Sequence, residues 1–453
     1  MVTLQDKYNQ LMVAATKKVL WGKVSKEQSD NLTSEIVDLI LIEAISSRAS
    51  DIHVEPHQEK IRIRYRIDGK LFNMLDTDEN AEIHLIPRIK ILANIPTDTV
   101  SSRKAWDGRF SMVINNLQYD FRVATFPTIM GDKISIRVLN KSSELIDLKK
   151  IGLRPEAYSV LEQIIQRKSG LLIVSGPTGE GKTTTLYSIL RRLHTSAVNI
   201  VTLEDPVEYQ IDGMNQCDIN KKVSEDFTSA LKATLRQDPD VILIGEIRDF
   251  ESAEIALRAS ITGHFVLTSI HANSAIGTVA RLMNMGLERH MIAYALIGAV
   301  SQHLVPRICE ECRVPYKFDS AKFQKICVKC GIDPRLFFKL GSKVDHEEGI
   351  HYMSADEKKI EDLSSADEII FYKGAGCDAC KGTGYHGRIG IYEVVLFTED
   401  LREAIVNNAT VSEIESIAIA KGFESMALDA LQKVINGTVH FPDIFHILLE
   451  KSR

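Results

Sequence analysis

Long apolar segments are missing from this sequence of 453 residues. Its longest apolar run near the middle, Met291–Val300, is far shorter than the roughly 20 residues that a membrane-spanning helix needs. Residues Met1–Lys18 lack the apolar core and the cleavage site of a secretory signal peptide. These absences predict a soluble, cytoplasmic protein that would reach a membrane through partner proteins.

An excess of positive charge is also missing. The chain has 55 Lys and Arg against 61 Asp and Glu, a net charge of -6 and a pI near 6.1. Because a broad nucleic-acid-binding face needs a basic surface, we expect no nucleic-acid partner. The hydrophobic share of 44% and the charged share of 26% are typical of soluble globular proteins. A chain of this length predicts two to four domains.

Pattern changes along the chain predict a mixed α/β protein with five regions. Lys60–Ile67 alternates apolar and polar residues, which is typical of a half-buried strand, and Asp68-Gly69 follows as a tight turn. The polar stretch Asn140–Lys150 is the best candidate for a linker. The regions are a short helical lead (1–33), an α/β domain (34–145), a second α/β domain (146–302), a cysteine-containing segment (303–395) and a helical C-terminal part (396–453).

Helix-prone segments and short apolar strands alternate in the second α/β domain. Since parallel strands need long crossover connections, this order predicts a parallel sheet with helices packed on it. The predicted strands are Leu171–Val174, Ile200–Leu203, Val241–Ile244 and Phe265–Ser269.

A phosphate-binding loop follows the first of these strands. Residues 176–183 read Gly-Pro-Thr-Gly-Glu-Gly-Lys-Thr, and a helix-prone run, Thr184–Leu193, comes next. This context argues against a chance match. Backbone N–H groups and the helix N-terminus would face the phosphates of ATP, Lys182 would reach the β- and γ-phosphates, and Thr183 would bind Mg²⁺. The predicted nucleotide-binding residues are Gly176, Pro177, Thr178, Gly179, Glu180, Gly181, Lys182, Thr183 and Thr184.

Chemically active side chains follow the other strands. Glu246 comes just after Val241–Ile244, at the strand end where α/β sheets bind ligands, and can hold Mg²⁺ or orient water. Glu204 and Glu208 follow a second strand, and His271 follows a third as a candidate sensor of the γ-phosphate. The simpler alternatives are exposed acids, which are common in loops, and a surface histidine.

In chain order, these motifs resemble the Walker A, Asp-box, Walker B and His-box motifs of the secretion ATPases that serve type II secretion and type IV pili. The matching segments are Gly176–Thr183, Thr202–Glu208, Ile244–Asp249 and Thr268–Ala275. Earlier segments resemble the family's N-terminal domain: Ala49–Glu55, Arg64–Gly69, Asp107–Arg109, Arg122–Thr125 and Pro127-Thr128. Gly382–Glu393 and the cysteine pairs resemble the metal-binding segment of its assembly branch. The resemblance covers residues 34 to 440 approximately.

The resemblance implies a PAS-like N-terminal domain, a RecA-type ATPase domain with a zinc-binding insertion, and C-terminal helices. It implies a homo-hexameric ATPase at the inner membrane that turns a membrane-embedded platform protein, with a cytoplasmic docking protein as a further partner. In this family Glu204 and Glu208 would lie near the catalytic water, Glu246 would be the Walker B acid, and His264 and His271 would belong to the His box. Arginines of the N-terminal domain would approach the phosphates, unless they are solvent-facing strand residues: Arg109, Arg122 and Arg137.

Two departures from the family pattern stand out. About 33 residues precede the shared region, too few for the large extra N-terminal domain of longer members, so control by a cyclic dinucleotide through that domain is not expected. Glu180 replaces a small polar residue inside the phosphate loop. A carboxylate at that position can repel phosphate or point into solvent.

Six of the seven cysteines form three Cys-x-x-Cys pairs, a spacing that favours metal binding in a reducing compartment. Four thiolates would hold a structural Zn²⁺ ion, and free cysteines are the alternative. Because the family's pairs flank its insertion, the resemblance favours Cys309, Cys312, Cys377 and Cys380 as ligands, although Cys327 and Cys330 lie between them. We expect Cys217 to be a small buried or half-buried residue.

Three other functions compete with the assembly motor. A pilus-retraction ATPase resembles the core but lacks the cysteine module. A nucleic-acid translocase would need a basic stripe, and a non-catalytic scaffold would not need Lys182, Glu246 and His271 intact. The sequence does not distinguish pilus assembly from type II secretion.

Overall fold

The structure is a computed structural model that describes residues 3–10, 26–77, 82–97, 104–140, 147–219, 227–329 and 368–450. The protein is mixed α/β and has two compact units, residues 1–144 with 376–387 and residues 145–375 with 388–453. Most of the predicted lead, the middle of the predicted linker and Cys330 lie outside the described residues.

The first unit is built on an antiparallel sheet. Its six strands have the order β3-β2-β1-β6-β5-β4. Its described elements are a helix at 4–10, α1 (Lys26–Ser46), β1 (Ala49–His57), β2 (Lys60–Ile67), β3 (Lys70–Asp76), α2 (Glu82–Leu92), β4 (Trp106–Ile114), β5 (Leu117–Thr128) and β6 (Gly131–Asn140).

One face of this sheet forms the core of the unit. The alternation in β2 is confirmed, since Ile61, Ile63 and Tyr65 are buried while the arginines between them are half-buried. The Tyr65 hydroxyl donates to the carbonyl of Ile40 in α1 at 2.6 Å, which fixes that helix on the sheet. The predicted turn after β2 is also present, and Asp68 and Gly69 both have positive φ, as tight hairpins require.

The second unit contains the parallel sheet. Its elements are α3 (Pro155–Ile165), β7 (Gly170–Ser175), α4 (Lys182–Leu193), β8 (Ile200–Glu204), β9 (Asn215–Asp218), α5 (Phe227–Thr234), β10 (Val241–Ile244), α6 (Phe250–Ile261), β11 (Phe265–Ile270), α7 (Gly277–Asn284), α8 (Arg289–Ala295), β12 (Leu296–Ile308), β13 (Arg313–Asp319), α9 (Ser320–Lys329), β14 (Glu368–Gly374), β15 (Tyr385–Leu396), α10 (Glu399–Val406), α11 (Val411–Ala420), α12 (Met426–Ile435) and α13 (Phe445–Glu450).

The seven described strands of this sheet have the order β15-β12-β7-β11-β10-β8-β9. Neighbours from β12 to β9 run parallel, as predicted. Every residue of β7, β8, β10 and β11 is buried, because helices cover both faces. Parallel packing brings the carboxyl ends of these strands to one edge, where the candidate site lies.

The apolar run Met291–Val300 is divided between α8 and the start of β12. No helix in the described ranges has the length and apolar character needed to cross a membrane. The helices α10, α11, α12 and α13 all lie in the C-terminal part, 396–453, for which the sequence predicts helices.

Candidate functional site

The loop between β7 and α4 is shaped as a phosphate cradle. Gly176 has φ 144° and Gly181 has φ 81°, which are left-handed conformations that favour glycine. A Cβ atom on Gly176 would lie 2.4 Å from the carbonyl oxygen of Gln302, so no larger residue fits there. Gly181 caps the N-terminus of α4, which begins at Lys182. The loop therefore offers a helix N-terminus and a close backbone approach, and both suit phosphate.

The Glu180 side chain contacts β12. Its Oε2 atom accepts a hydrogen bond from the Leu304 N–H, and its backbone oxygen accepts one from Nε2 of Gln302. From the sequence alone, this carboxylate is expected either to repel phosphate or to point into solvent. Neither expectation includes a contact with β12.

Lys182, His271 and Glu246 converge at the carboxyl end of the sheet. The Lys182 ammonium donates to the carbonyl of Gly176 at 2.6 Å and lies 3.3 Å from Nδ1 of His271. Nε2 of the same histidine lies 2.7 Å from Oε1 of Glu246. Because an ammonium only donates, Nδ1 must accept and Nε2 must carry the proton that faces Glu246. Burial lowers the pKa of Lys182, and the carboxylates of Glu246 and Glu180 oppose that shift.

Glu204 is buried at the end of β8. Its Oε1 accepts from the Thr202 hydroxyl at 2.7 Å, and its Oε2 accepts from the Tyr187 hydroxyl at 2.5 Å. Burial raises the pKa of Glu204, and these hydrogen bonds oppose the shift. Both of its oxygens are therefore engaged by protein groups, whereas Glu208, in the same loop, is half-buried.

Four thiols form a compact cluster. The sulfur atoms of Cys309, Cys312, Cys377 and Cys380 all lie within 4.8 Å of one another. The Cys377 and Cys380 sulfurs are 3.7 Å apart, close to the edge of about 3.8 Å that a ZnS₄ tetrahedron with 2.3 Å bonds requires. The N–H groups of Cys377 and Gly384 point at the Cys380 sulfur, which favours its thiolate form. The donor set and its spacing therefore fit a zinc ion.

The remaining described cysteines are elsewhere. Cys327 is buried in a cluster with Phe323 and Phe371, outside the four-thiol group. Cys217 is exposed on the edge strand β9, so the prediction that it is buried or half-buried was wrong. Burial on a strand depends on the position of that strand in the sheet, and an outermost strand has solvent on one side.

The sequence model of the family described as type II/IV secretion system protein matches residues 26–446. The chain belongs to this family. The resemblance drawn from the motifs is thereby confirmed. Among curated relatives, a type IV pilus assembly ATPase PilB of Myxococcus xanthus is 35% identical, over 93% of this chain and 71% of the relative. A type II secretion system protein E of Pseudomonas aeruginosa is 34% identical, over 94% of this chain and 77% of the relative.

Solved structures confirm the fold expected of a secretion-family member. The Legionella pneumophila ATPase DotB has a TM-score of 0.64 and 20% identity, covering 91% of this chain and 95% of that chain. The pilus retraction motor PilT with bound ADP has a TM-score of 0.55 and 24% identity, covering 92% of this chain and 96% of that chain. The predicted α/β architecture is therefore shared with secretion ATPases.

The three candidate arginines of this secretion-family chain form a row on the first unit's sheet. Arg109 is the cross-strand partner of Arg122, and Arg122 is the partner of Arg137. Directly opposed residues share a face, and opposed like charges cost stability. Next in the row, Asp51 accepts from Nε of Arg137 at 3.1 Å. The row therefore places three guanidinium groups side by side on the face opposite the buried core, and Asp51 pairs with Arg137 at its end.

Motif reading missed some residues of the site. Arg248 donates to Oε2 of Glu246 at 2.6 Å and lies 3.9 Å from Asp205. Its position two residues after Glu246, the expected Walker B acid, was a usable signal. Gln302, in β12, matched no sequence motif, because its contact with Glu180 joins residues that are far apart in sequence. His264 precedes β11 and thus lies at the opposite end of that strand from His271.

Proposed function

We propose that this protein is an ATPase that drives assembly of a type IV pilus or a type II secretion pseudopilus. The observation that carries the proposal is the convergence of Lys182, His271 and Glu246 at the carboxyl ends of β7, β11 and β10. The names of the curated relatives support the same activity, since they include a pilus assembly ATPase and secretion proteins.

ATP would bind with its phosphates on residues 176–184. Lys182 now contacts the carbonyls of Gly176 and Pro177 and would turn to the phosphates when they arrive. The Thr183 hydroxyl and the Glu246 carboxylate are the groups that would hold Mg²⁺, directly or through water. Bound Mg²⁺ would neutralise phosphate charge during hydrolysis.

The attacking water would be oriented by the carboxylates at the strand ends. Glu246 is held by His271 and Arg248, so its geometry is fixed before substrate binds. Glu208 is the second candidate. The oxygens of Glu204 are engaged by Tyr187 and Thr202, so we assign it to shaping the Asp-box loop beside the water.

The arginine row gives the first unit a surface suited to phosphate, because guanidinium groups pair with phosphate oxygens and neutralise transition-state charge. We propose that Arg109, Arg122 and Arg137 complete the nucleotide site when the protein closes around ATP. A homo-hexamer at the cytoplasmic face of the inner membrane, acting on a platform protein and aided by a docking protein, fits the family.

The cysteine cluster favours assembly over retraction, because the assembly branch carries such a module. We propose that Cys309, Cys312, Cys377 and Cys380 hold a structural Zn²⁺ ion, since four thiolates leave no position for a substrate.

The test is MgATP hydrolysis by the purified full chain, with fractions sized by light scattering. Lys182→Ala should lose ATP affinity, and Glu246→Gln should bind ATP while losing at least about a hundredfold in turnover. Turnover by wild-type protein in a hexamer-sized fraction supports the proposal. Hydrolysis that survives both substitutions would overturn it.

A further inference from the structure

The phosphate loop carries a charged residue whose side chain is tied to a neighbouring strand. Oε2 of Glu180 accepts from the Leu304 N–H, and the Glu180 carbonyl accepts from the Gln302 side chain. We propose that Glu180 is a positioning residue for ATP binding, which fixes the loop on the end of β12. This inference rests on the proposed function, which assigns residues 176–184 to the phosphates.

The Leu304 N–H is available because β12 extends beyond β7. The last residue pair between these strands is Ser301 with Ser175, whereas β12 continues to Ile308. At Leu304 the Glu180 carboxylate takes the acceptor position that a β7 carbonyl occupies earlier in the ladder. A hydrogen bond to an ionised acceptor is about twice as strong as one between neutral groups. A serine side chain ends two carbon atoms earlier and would not reach this N–H.

Other contacts place the loop against the same strand. The Gln302 amide oxygen accepts from the Thr185 hydroxyl at 2.6 Å, so this side chain bridges the loop and α4. A Cβ atom on Gly181 would lie 3.2 Å from Cδ1 of Leu304. The two ends of the loop are thus packed on β12, and the Glu180 side chain adds a link from inside the loop.

A negative charge in a phosphate site also has a cost, because it repels the ligand. Three substitutions separate the effect of the length of the Glu180 side chain from the effect of its charge. Glu180→Gln removes the charge and keeps an oxygen at the same reach. Glu180→Asp keeps the charge and shortens the reach, and Glu180→Ala removes both.

The experiment measures kcat, KM for MgATP and the Kd of a fluorescent ATP analogue on the full chain. Positioning predicts that Glu180→Ala and Glu180→Asp raise KM and Kd about five- to tenfold, with kcat changed less than about twofold. Glu180→Gln should restore values within about twofold of wild type. Glu288→Ala, at a side chain that is 69% exposed, is the matched control.

Wild-type KM and Kd in both Glu180→Ala and Glu180→Asp would overturn the inference. The inference would also be overturned if Glu180→Gln and Glu180→Ala bound ATP equally tightly and both more tightly than wild type. That result would mean that the main effect of the Glu180 charge is to repel the phosphates. Melting temperatures check folding, and if Glu180→Ala is unfolded, the contrast between Gln and Asp decides. Lys182→Ala in the same series distinguishes the two failures, because unchanged ATP binding by that variant refutes the proposed site itself.

Discussion

His271 donates its Nε2 proton to Oε1 of Glu246 across 2.7 Å. Its other ring nitrogen lies 3.3 Å from the Lys182 ammonium, so the ring connects Glu246 to the lysine that we propose binds phosphate. We expect His271→Ala to lower kcat about ten- to a hundredfold, because Glu246 loses a fixed partner, and to change KM for ATP less than about threefold. Steady-state kinetics beside His290→Ala, an exposed histidine, measure this. A rise in KM at unchanged kcat would contradict the role.

The four-thiol cluster predicts about one zinc ion per chain in protein purified without chelators. Cys377→Ser should lower the zinc content measured by mass spectrometry and lower the melting temperature, because metal binding is coupled to local folding. Cys217→Ser is the matched control, since that thiol is exposed and outside the cluster. Equal zinc content in the two variants would refute the site.

Glu393 connects the starts of two helical segments. Its Oε1 accepts from the Ala275 N–H at 2.6 Å, just before α7, and its Oε2 accepts from the Met426 N–H at 3.0 Å, at the start of α12. In Glu393→Gln an NH₂ group replaces one carboxylate oxygen, so it would face the N–H of Ala275 or of Met426 and could not accept from it. The free energy of unfolding should fall by about 1–3 kcal/mol in urea titrations. Glu403→Gln, at an exposed position, should shift the midpoint little, and equal midpoints in the two variants would refute the argument.

Glu55 makes the stability of the first unit depend on pH. Burial acts to raise the pKa of Glu55, but hydrogen bonds and charges from Arg64 and Lys133 outweigh it and lower the pKa to about 2. The folded pKa is below the unfolded value of 4.5, so the stabilisation is present above pH 4.5 and is lost as the pH falls toward 2.

We therefore expect Glu55→Gln to be less stable than wild type by about 1–2 kcal/mol above pH 5. The two proteins should converge near pH 2. Thermal melting between pH 2 and pH 6 measures the difference. A constant gap across that range would mean that the carboxylate charge of Glu55 does not contribute.

Residue patterns within a single segment predicted the strands whose formation depends mainly on that segment. β2 and β10 have the predicted bounds, because alternation marks a half-buried strand and a short apolar run between turns marks a fully buried one. β12 was missed, since an apolar run such as Met291–Val300 fits a helix and a strand equally well. The division at Leu296 is set by pairing with β7, which lies far away in sequence.

The candidate site shows the same limit. Motifs identified Lys182, Glu246 and His271, because the carboxyl ends of parallel strands meet at one edge. They did not show that the Tyr187 hydroxyl donates to Glu204 or that the Leu304 N–H of β12 donates to Glu180, because these contacts join segments that are distant in sequence. The effect of a residue within a motif thus depended on tertiary neighbours.

The order of the parallel sheet has a consequence for biosynthesis. β15 is the neighbour of β12 at the edge of the sheet, yet the whole segment from Cys309 to Gly384 is translated between them. During synthesis, the edge of β12 that faces β15 stays unpaired until Leu396, the last residue of β15, has left the ribosome. An unpaired strand edge is prone to aggregation. The phosphate loop rests on β12 through Glu180, so its support is incomplete until β15 pairs with that strand. If the loop binds ATP as proposed, we expect stable nucleotide binding to be a late event in the life of the nascent chain. Ribosome-bound chains that stop before β15 should then fail to retain ATP, although they already contain the entire phosphate loop.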